Sequence, residues 1–299
     1  VYLVSDEEQY KYRGDIKKGD FLPAINMTYK INDRMNVRAS YTNTLARPNM
    51  REKAPFASFE FIGGVIMNGN PDLKSTFIYN YDARWEWFPT PGELIAFSAY
   101  YKKFENPIIQ QFILESANPQ IKFENVPEAL VYGMEIEVRK QLSQNLPVLK
   151  DIKVGGNFSL IKSKVDIKEE EYEYISSRNP EFDEPYRPFQ GQSPFLLNAN
   201  ISYDNNKNGI DAALSYNIFG RRLAATSTDG IPDIYEKTKG MLNLNLKKSF
   251  AKNFSVGLKV KNILNSPVEK FMDYKNTDYY YLKYNIGRTY SISISYSIN

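Results

Sequence analysis

The sequence predicts an all-β protein, an antiparallel transmembrane β-barrel with about eleven strands in this chain. Three observations support this fold class. Apolar and polar residues alternate with a period of two over most of the chain. Several of these runs span about ten residues or more, whereas strands of globular proteins usually have about 5–6. The connections between them alternate strictly between short and long.

The composition excludes several kinds of functional site. The 299 residues include no Cys and no His, which excludes disulfide scaffolds, zinc or haem sites held by these residues, and nucleophile pairs that need them. The net charge is only +3, so no basic excess indicates a nucleic-acid partner. We therefore expect no catalytic residues, no metal, no cofactor and no nucleic acid, and we do not expect an enzyme. The 23 Tyr and 18 Phe are typical of a membrane barrel. In such a barrel apolar and polar residues alternate along each strand, so the mean hydropathy of the strand does not reveal its apolar face.

Each strand follows from its own alternation, which is clearest at the C terminus. There Tyr290 and Ile292 share one face, while Ser291 and Ser293 share the other. Successive side chains of a strand point to opposite faces, so this run has one apolar and one polar face. The same pattern predicts strands at about 21–31, 35–42, 77–87, 94–101, 132–139, 152–160, 195–203, 210–217, 242–247, 254–261 and 289–298.

The connections predict how the strands cross the membrane. The short ones lie at 32–33, 89–92, 143–149, 204–209 and 251–253. The long ones span 46–74, 105–128, 164–193, 219–238 and 266–287. In barrels of the outer-membrane type, short turns face the periplasm and long loops face outward. Residues 1–20 would then end an external loop, and 21–298 would be barrel strands of a single domain spanning 1–299.

A soluble β-sandwich would also have one apolar and one polar face per strand. The strand lengths favour the membrane, because about 9–11 tilted residues cross the hydrocarbon. Charged residues also occur in the middle of the polar faces, as expected for a barrel lumen that is filled by water or by a plug. Aromatic residues near strand ends suit interfacial girdles. The proposed girdle consists of Trp85, Trp87, Tyr100, Tyr101, Tyr290 and Tyr296.

Several stretches resemble TonB-dependent outer-membrane receptors, especially those of Bacteroidetes. Residues 42–52 (TNTLARPNMRE) resemble the family's strand end SRPNYREL, and residues 69–74 (GNPDLK) resemble its GNPxLKPE motif. Residues 132–137 (YGMEIE) resemble the GxExE strand, and residues 261–265 (KNILN) resemble the late xNLLN motif. Residues 287–290 (GRTY) begin a segment that resembles the terminal strand. The five motifs occur in the family's order.

The resemblance departs from the family at two points. Ser75-Thr76 stands where the family has Pro-Glu, and the terminal residue is Asn299 rather than an aromatic residue. The resemblance implies a 22-stranded barrel that encloses an N-terminal plug. This chain is then expected to be the C-terminal part of that barrel, without the plug. The implied partners are outer-membrane lipid, the plug and remaining strands, TonB and a surface lipoprotein, and the implied location is the bacterial outer membrane.

Charged residues on the polar faces are candidates for contact with the plug or a passing ligand. Glu135 and Glu137 are paired carboxylates on one face, as in a glycosidase, but a charged lumen lining is the favoured interpretation. The same interpretation applies to Arg84, which lies between two acidic residues. The complete lumen set is Arg38, Asp82, Arg84, Glu86, Glu135, Glu137, Arg139 and Lys259.

The long loops supply a second set of candidates, because aromatic residues at a loop mouth can stack on sugars, peptides or flat chelates. Alternatively, these residues pack loop on loop, and the arginine pair meets lipopolysaccharide phosphates. The loop set is Arg221, Arg222, Phe271, Tyr274, Tyr279, Tyr280, Tyr281 and Tyr284. The acidic run 168–173 could bind calcium, but it lacks a spaced ligand set, so a solvated loop is expected.

The resemblance implies active transport of a scarce nutrient, which could be a siderophore, an oligosaccharide or a peptide. The lack of His in the visible loops disfavours haem. Two other classes stay open: a non-transport barrel, such as an adhesin or an assembly scaffold, and a soluble β-sandwich that binds a ligand.

Overall fold

The computed structural model describes residues 19–58, 65–113, 120–142, 149–167, 169–178, 184–227, 231–250, 253–275 and 277–298. The expected loop tail at 1–18 lies outside these residues. The elements are β1 (Ala24–Asn32), β2 (Met35–Ala46), α1 (Met50–Lys53), β3 (Ala57–Ser58), β4 (Ile66–Asn68), β5 (Thr76–Trp87), β6 (Leu94–Glu105), β7 (Ile108–Ile113), β8 (Gln120–Asn125), β9 (Glu128–Gln141), β10 (Ile152–Asp166), α2 (Glu169–Arg178), β11 (Tyr186–Arg187), β12 (Phe195–Asn205), β13 (Ile210–Phe219), β14 (Arg222–Ser227), β15 (Ile234–Glu236), β16 (Lys239–Ser249), β17 (Phe254–Lys261), β18 (Pro267–Tyr274), β19 (Thr277–Asn285) and β20 (Thr289–Tyr296).

The main sheet confirms the all-β prediction and the eleven predicted strands. Its order is β1-β2-β5-β6-β9-β10-β12-β13-β16-β17-β20, every neighbouring pair is antiparallel, and β11 adds to β10. Neighbours in the sheet follow one another along the chain, as in an up-and-down barrel. Among the described residues the sheet does not close, because β1 and β20 each pair with one strand.

Residues that the alternation assigned to different faces do lie on different faces. The register pairs Val37 with Trp85 and Trp85 with Phe97, so apolar residues align across strands. On the other face, Arg84 lies opposite both Arg38 and Ser98. Below we call these the apolar face and the polar face of the main sheet.

The long connections form a second sheet, which we call the loop sheet. Its order is β19-β18-β15-β14-β7-β8-β4-β3, and it combines four of the five long connections. Two of its contacts, β4 with β8 and β7 with β14, are parallel pairs between different connections. The expectation of a solvated acidic loop was wrong in part, because residues 169–178 form helix α2. Glutamate is a good helix former, and acidic residues in a first turn favour the helix dipole.

The buried core of the described residues lies mostly at the loop end of the molecule. One cluster joins Ile109, Val126, Ala129 and Val165, with Phe104 and Phe189 packed against it. A second cluster in the loop sheet joins Phe112, Ala225 and Ile234, and Tyr281 and Met272 pack against it. The membrane-type strands bury fewer apolar side chains, because their apolar face points away from the protein. The long connections therefore form a packed layer over one end of the main sheet.

Candidate functional site

The register of the main sheet brings five of the predicted lumen residues together. Arg38 on β2 lies opposite Arg84 on β5, and Glu86 follows two residues later on the same face. Glu137 and Arg139 on β9 occupy the same face one strand beyond β6. We call Arg38, Arg84, Glu86, Glu137 and Arg139 the charged network.

Each carboxylate of the charged network binds two arginines. Glu86 accepts from Arg38 Nε at 2.8 Å and from Arg84 Nε at 2.9 Å. Glu137 accepts from Arg84 Nη2 at 2.7 Å and from Arg139 Nη2 at 2.6 Å. The two carboxylates are 10% and 16% exposed, whereas the outer guanidiniums of Arg38 and Arg139 are 52% and 64% exposed. The ends of the network therefore present N–H groups that are free to bind another group.

A row of amides, which the sequence analysis missed, continues from the charged network. Glu135 accepts from Asn157 Nδ2 at 2.8 Å and from Ser159 Oγ at 3.2 Å. Asn157 Oδ1 accepts from Asn198 at 2.8 Å, and Asn198 Oδ1 accepts from Asn217. Asparagines at polar-face positions on three successive strands could have indicated this row. Glu135 and Glu137 thus belong to different networks, and each carboxylate accepts from two protein donors while lining an open cleft on the polar face.

Two predicted lumen residues stand apart from the charged network. Asp82 accepts from Ser40 Oγ at 3.4 Å and contacts none of the arginines. Lys259 lies on β17, and four strands separate it from Glu137 on β9. It faces Asn245 and Ser291 across the polar face. Both residues share the expected face without joining the ion pairs.

The proposed girdle residues divide between the two faces. Trp85, Trp87, Tyr101, Tyr290 and Tyr296 lie on the apolar face, opposite other apolar or aromatic residues. Tyr100 lies opposite Asp82 and Gly133 instead. Because consecutive residues of a strand alternate, Tyr100 and Tyr101 cannot share a face. We assign Tyr100 to the polar face.

The predicted loop aromatics are partly packed and partly exposed. Phe271 is 2% exposed and lies opposite Tyr235 and Tyr280. Tyr281 makes an edge contact with Phe112 at 5.1 Å between ring centroids. In contrast, Tyr274, Tyr279, Tyr280 and Tyr284 are about half exposed along β18 and β19. Loop-on-loop packing thus accounts for two of the six predicted aromatic residues.

Both predicted loop arginines are held by protein groups. Arg222 binds Glu236 at 2.7 Å and stacks on Phe219, with 4.2 Å from Cζ to the ring centroid. Arg221 Cζ lies 4.2 Å and 4.8 Å from the ring centroids of Tyr235 and Phe271. Burial raises the pKa of Tyr235 to about 12, so this phenol stays neutral beneath the guanidinium.

Lys237 forms a second cationic position beside the exposed tyrosines. Its Nζ lies 2.8 Å from Asp278 Oδ2 and donates to Tyr280 Oη at 2.9 Å. The hydrogen bond to Asp278 raises the pKa of Lys237. Lys237 and Asp278 therefore form an ion pair beside the half-exposed aromatic rings of β18 and β19.

The fifth long connection crosses the loop sheet as a strap, residues 184–193. Gln190 Oε1 accepts from Gln110 N at 2.7 Å, and its Nε2 donates to Ala224 O at 2.5 Å. Gln190 thereby joins β7 to β14, whose own parallel pairing covers only two residues of each strand. The strap therefore supports the short parallel pairing between β7 and β14, two strands of different loops, which we call the seam.

A buried ionic triad fixes the other end of the strap. Arg187, whose side chain is 7% exposed, binds Glu171 on α2 at 2.9 Å and lies 3.4 Å from Asp233 Oδ2. Asp233 Oδ1 also accepts from Ser227 N at 2.8 Å. Burial raises the pKa of Asp233, and the charge of Arg187 opposes that shift. The triad connects α2, the strap and the segment between β14 and β15.

The described residues contain no group of three or more His, Cys, Asp or Glu that could hold a metal ion. Within the same part of the chain, no helix is both long enough and apolar enough to span a membrane.

Several solved structures share this fold. A mutant of the ferric enterobactin receptor PfeA from Pseudomonas aeruginosa matches with a TM-score of 0.58 and 15% identity, over 93% of this chain and 40% of that chain. The siderophore receptor PirA from Acinetobacter baumannii matches at 0.59 and 15%, over 93% and 41%. The copper transporter OprC matches at 0.60 and 13%, over 92% and 39%. A comparison with curated protein sequences found no match.

The chain thus spans about two-fifths of the length of these structures. At such low identities the likeness shows a shared fold. The family model "TonB dependent receptor-like, beta-barrel" matches residues 5–263, which is most of the chain. The two-faced main sheet, the layered loop end and this match agree, and the protein belongs to the TonB-dependent receptor β-barrel family.

Proposed function

We propose that this chain forms part of the wall and the external mouth of an outer-membrane active transporter for a scarce nutrient. The charged network carries the proposal. Five charged side chains on one face of a membrane-type sheet must face water or protein, because lipid would not solvate them. The opposite face of the same strands is apolar, so lipid belongs there. This division suits a barrel wall whose lumen holds a plug.

The outer arginines of the charged network are the proposed contacts for that plug. Among the described residues, Arg38 and Arg139 each bind one glutamate through one nitrogen, and more than half of each side chain is exposed. A carboxylate or carbonyl on the plug could accept from them. Their inner partners hold both guanidiniums in place, so the contact costs little side-chain entropy.

The exposed tyrosines of β18 and β19, together with Lys237, are the proposed ligand-capture surface. Phenol rings stack on flat or sugar-like groups, and the ammonium, paired with Asp278, supplies an N–H donor. The structural relatives are a ferric enterobactin receptor, a siderophore receptor and a copper transporter. For this chain a siderophore, an oligosaccharide and a peptide all remain candidates. The proposed partner for energy supply is TonB, acting through the plug.

The first experiment tests transport with the whole receptor in cells. We expect uptake of at least one labelled probe from a panel of a ferric siderophore, an oligosaccharide and a short peptide. Uptake should stop when a protonophore removes the energy source. Accumulation that a protonophore does not change would contradict active transport and favour an adhesin or a scaffold. Release of the protein by a carbonate wash of membranes would contradict the membrane location itself.

The double variant Arg38→Gln, Arg139→Gln tests the contact with the plug. Removing charge-assisted hydrogen bonds worth about 1.5–3 kcal/mol should change energised uptake by about 10- to 150-fold. Arg34→Gln is the control, because this arginine lies in the turn between β1 and β2. Equal uptake by the double variant and the control would remove the charged network from the mechanism.

A further inference from the structure

The apolar face of the main sheet carries a row of four tyrosines at one depth. The register aligns Tyr41, Tyr81, Tyr101 and Tyr132 across β2, β5, β6 and β9. Neighbouring rings lie 5.0 Å and 6.1 Å apart between the centroids of the first three. The next residue in this row, on β10, is Lys162.

The tyrosine row separates two different environments on this face. Toward the short turns, the aligned residues of the next three rows are all uncharged. The first row consists of Ala39, Ala83, Ala99, Met134 and Leu160, and the second of Val37, Trp85, Phe97, Ile136 and Phe158. The third row consists of Met35, Trp87, Ile95, Val138 and Gly156. Toward the long connections, charged residues begin: Lys103, Glu105, Glu128, Lys162 and Lys164. Tyrosine favours the membrane interface, so the row marks the boundary between lipid chains and headgroups.

Two of the lysines at this boundary have no carboxylate partner. Lys103 is neutralised by Glu128 at 2.7 Å. Lys164 Nζ lies 4.0 Å from the ring centroid of Tyr186, and Lys162 is exposed. Within the described residues, neither forms an ion pair, and Asp166, the next residue on this face, pairs with neither. Two positive charges thus stand two residues apart on one strand, just outside the apolar rows.

We propose that Lys162 and Lys164 bind the phosphate of an anionic lipid in the outer leaflet, with the hydroxyl of Tyr132 beside them. The position fixes the occupant, because an anionic headgroup lies at this depth and the two ammonium groups supply the complementary charge. Both side chains can extend along the strand while keeping their stems against lipid. Arg221 and Arg222 are not suited to this role, because each is paired with a carboxylate, Asp273 at 3.5 Å and Glu236 at 2.7 Å.

This inference rests on the proposed membrane location but not on transport. Each lysine near an anionic lipid surface contributes a factor of about five to binding, so the two together contribute about 25-fold. The double variant Lys162→Gln, Lys164→Gln should lose about that much affinity. The variant Lys153→Gln, Lys247→Gln is the matched control, because it removes the same charge from the polar face.

The test uses the whole receptor in lipid nanodiscs, with native mass spectrometry to count bound lipids. The probes are a lipid A-type phosphoglycolipid, its dephosphorylated form and inorganic phosphate. We expect the native and control proteins to retain the phosphorylated lipid and the Lys162/Lys164 variant to lose it. Equal retention by that variant would overturn the site. Equal retention of the dephosphorylated lipid, or displacement by millimolar phosphate, would also overturn it. A carbonate wash separately tests the membrane location.

Discussion

Single residues of this protein are constrained by close approach of neighbouring strands. Gly133 lies on β9 where Tyr100 crosses the polar face. A Cβ atom at this position would lie 2.6 Å from Leu160 O and 2.6 Å from Tyr100 Oη. The phenol could move, but the carbonyl belongs to the backbone of β10. Gly133 is therefore required by strand packing as well as by the position of Tyr100.

We predict that Gly133→Ala destabilises the main sheet by about 1–3 kcal/mol, the usual cost of overpacking. The measurement is the free energy of unfolding in detergent micelles. Gly19→Ala is the control, because nothing lies within 4 Å of its Cβ position. Adding Tyr100→Phe should restore little, since the backbone clash with Leu160 remains. Full recovery in that double variant would show that the phenol alone constrains Gly133.

Substitutions of two members of the buried triad, Arg187 and Asp233, should have different effects on stability. Arg187→Met would leave Asp233 charged and unpaired, and breaking a buried pair in this way costs about 3–5 kcal/mol. Asp233→Asn keeps an acceptor for Ser227 N and removes the buried charge, so it should be close to neutral. Hydrogen exchange of β14 and β15 measures both changes. Similar exchange in the two variants would contradict the proposed asymmetry.

The triad also predicts how the loop end responds to pH. Because the pKa of Asp233 is raised in the folded state, that state binds the proton more tightly than the unfolded chain does. Stability from this group should therefore increase as pH falls from neutral through the raised pKa, and should level off below the ordinary value of 3.8. Asp233→Asn should remove that slope in exchange protection. Protection that weakens over the same range and does so equally in the variant would refute the assignment.

At the scale of elements, the strap decides how firmly the loops hold together. The seam between β7 and β14 has two aligned residue pairs, and Gln190 adds a hydrogen bond on each side. Short strands that pair across different connections have little stability of their own. We infer that the external loops open first at this seam.

We predict that Gln190→Ala raises the exchange rate of the Gln110 amide by about fivefold or more, because leaving this partly buried donor unpaired costs about 1–3 kcal/mol. Gln192→Ala is the matched control, since among the described residues its side chain bonds only to the adjacent Ser193 O. Exchange in the main sheet should not change in either variant. If the control accelerated Gln110 equally, general loosening of the strap would explain the result instead of the two hydrogen bonds.

At the scale of the whole molecule, the main sheet is an open wall with two free edges among the described residues. Every residue of β1 and of β20 is exposed. An exposed edge of this length favours pairing with further strands. The expected 22-stranded barrel, of which this chain would supply the C-terminal part, would provide them, and it stays a prediction here.

Much of this fold could be predicted from the sequence. The eleven strands of the main sheet and their two faces follow from alternation, as Trp85 and Arg84 show. The loop sheet could not be predicted, because its strands are short and pair with distant connections, as Gln111 does with Thr226. The lumen candidates all lie on the polar face, yet only the register separated Glu137, inside the charged network, from Lys259, outside it.

The sequence by itself determined which residues can share a face, because side-chain direction along a strand is a local property of the backbone. Only the tertiary structure decided which residues meet. Register between strands joined Arg38 to Glu86 and aligned Tyr132 with Lys162. It also placed Tyr100 beside Asp82. The physical reason is that pairing between strands depends on contacts over the whole sheet, whereas alternation needs only the adjacent residues.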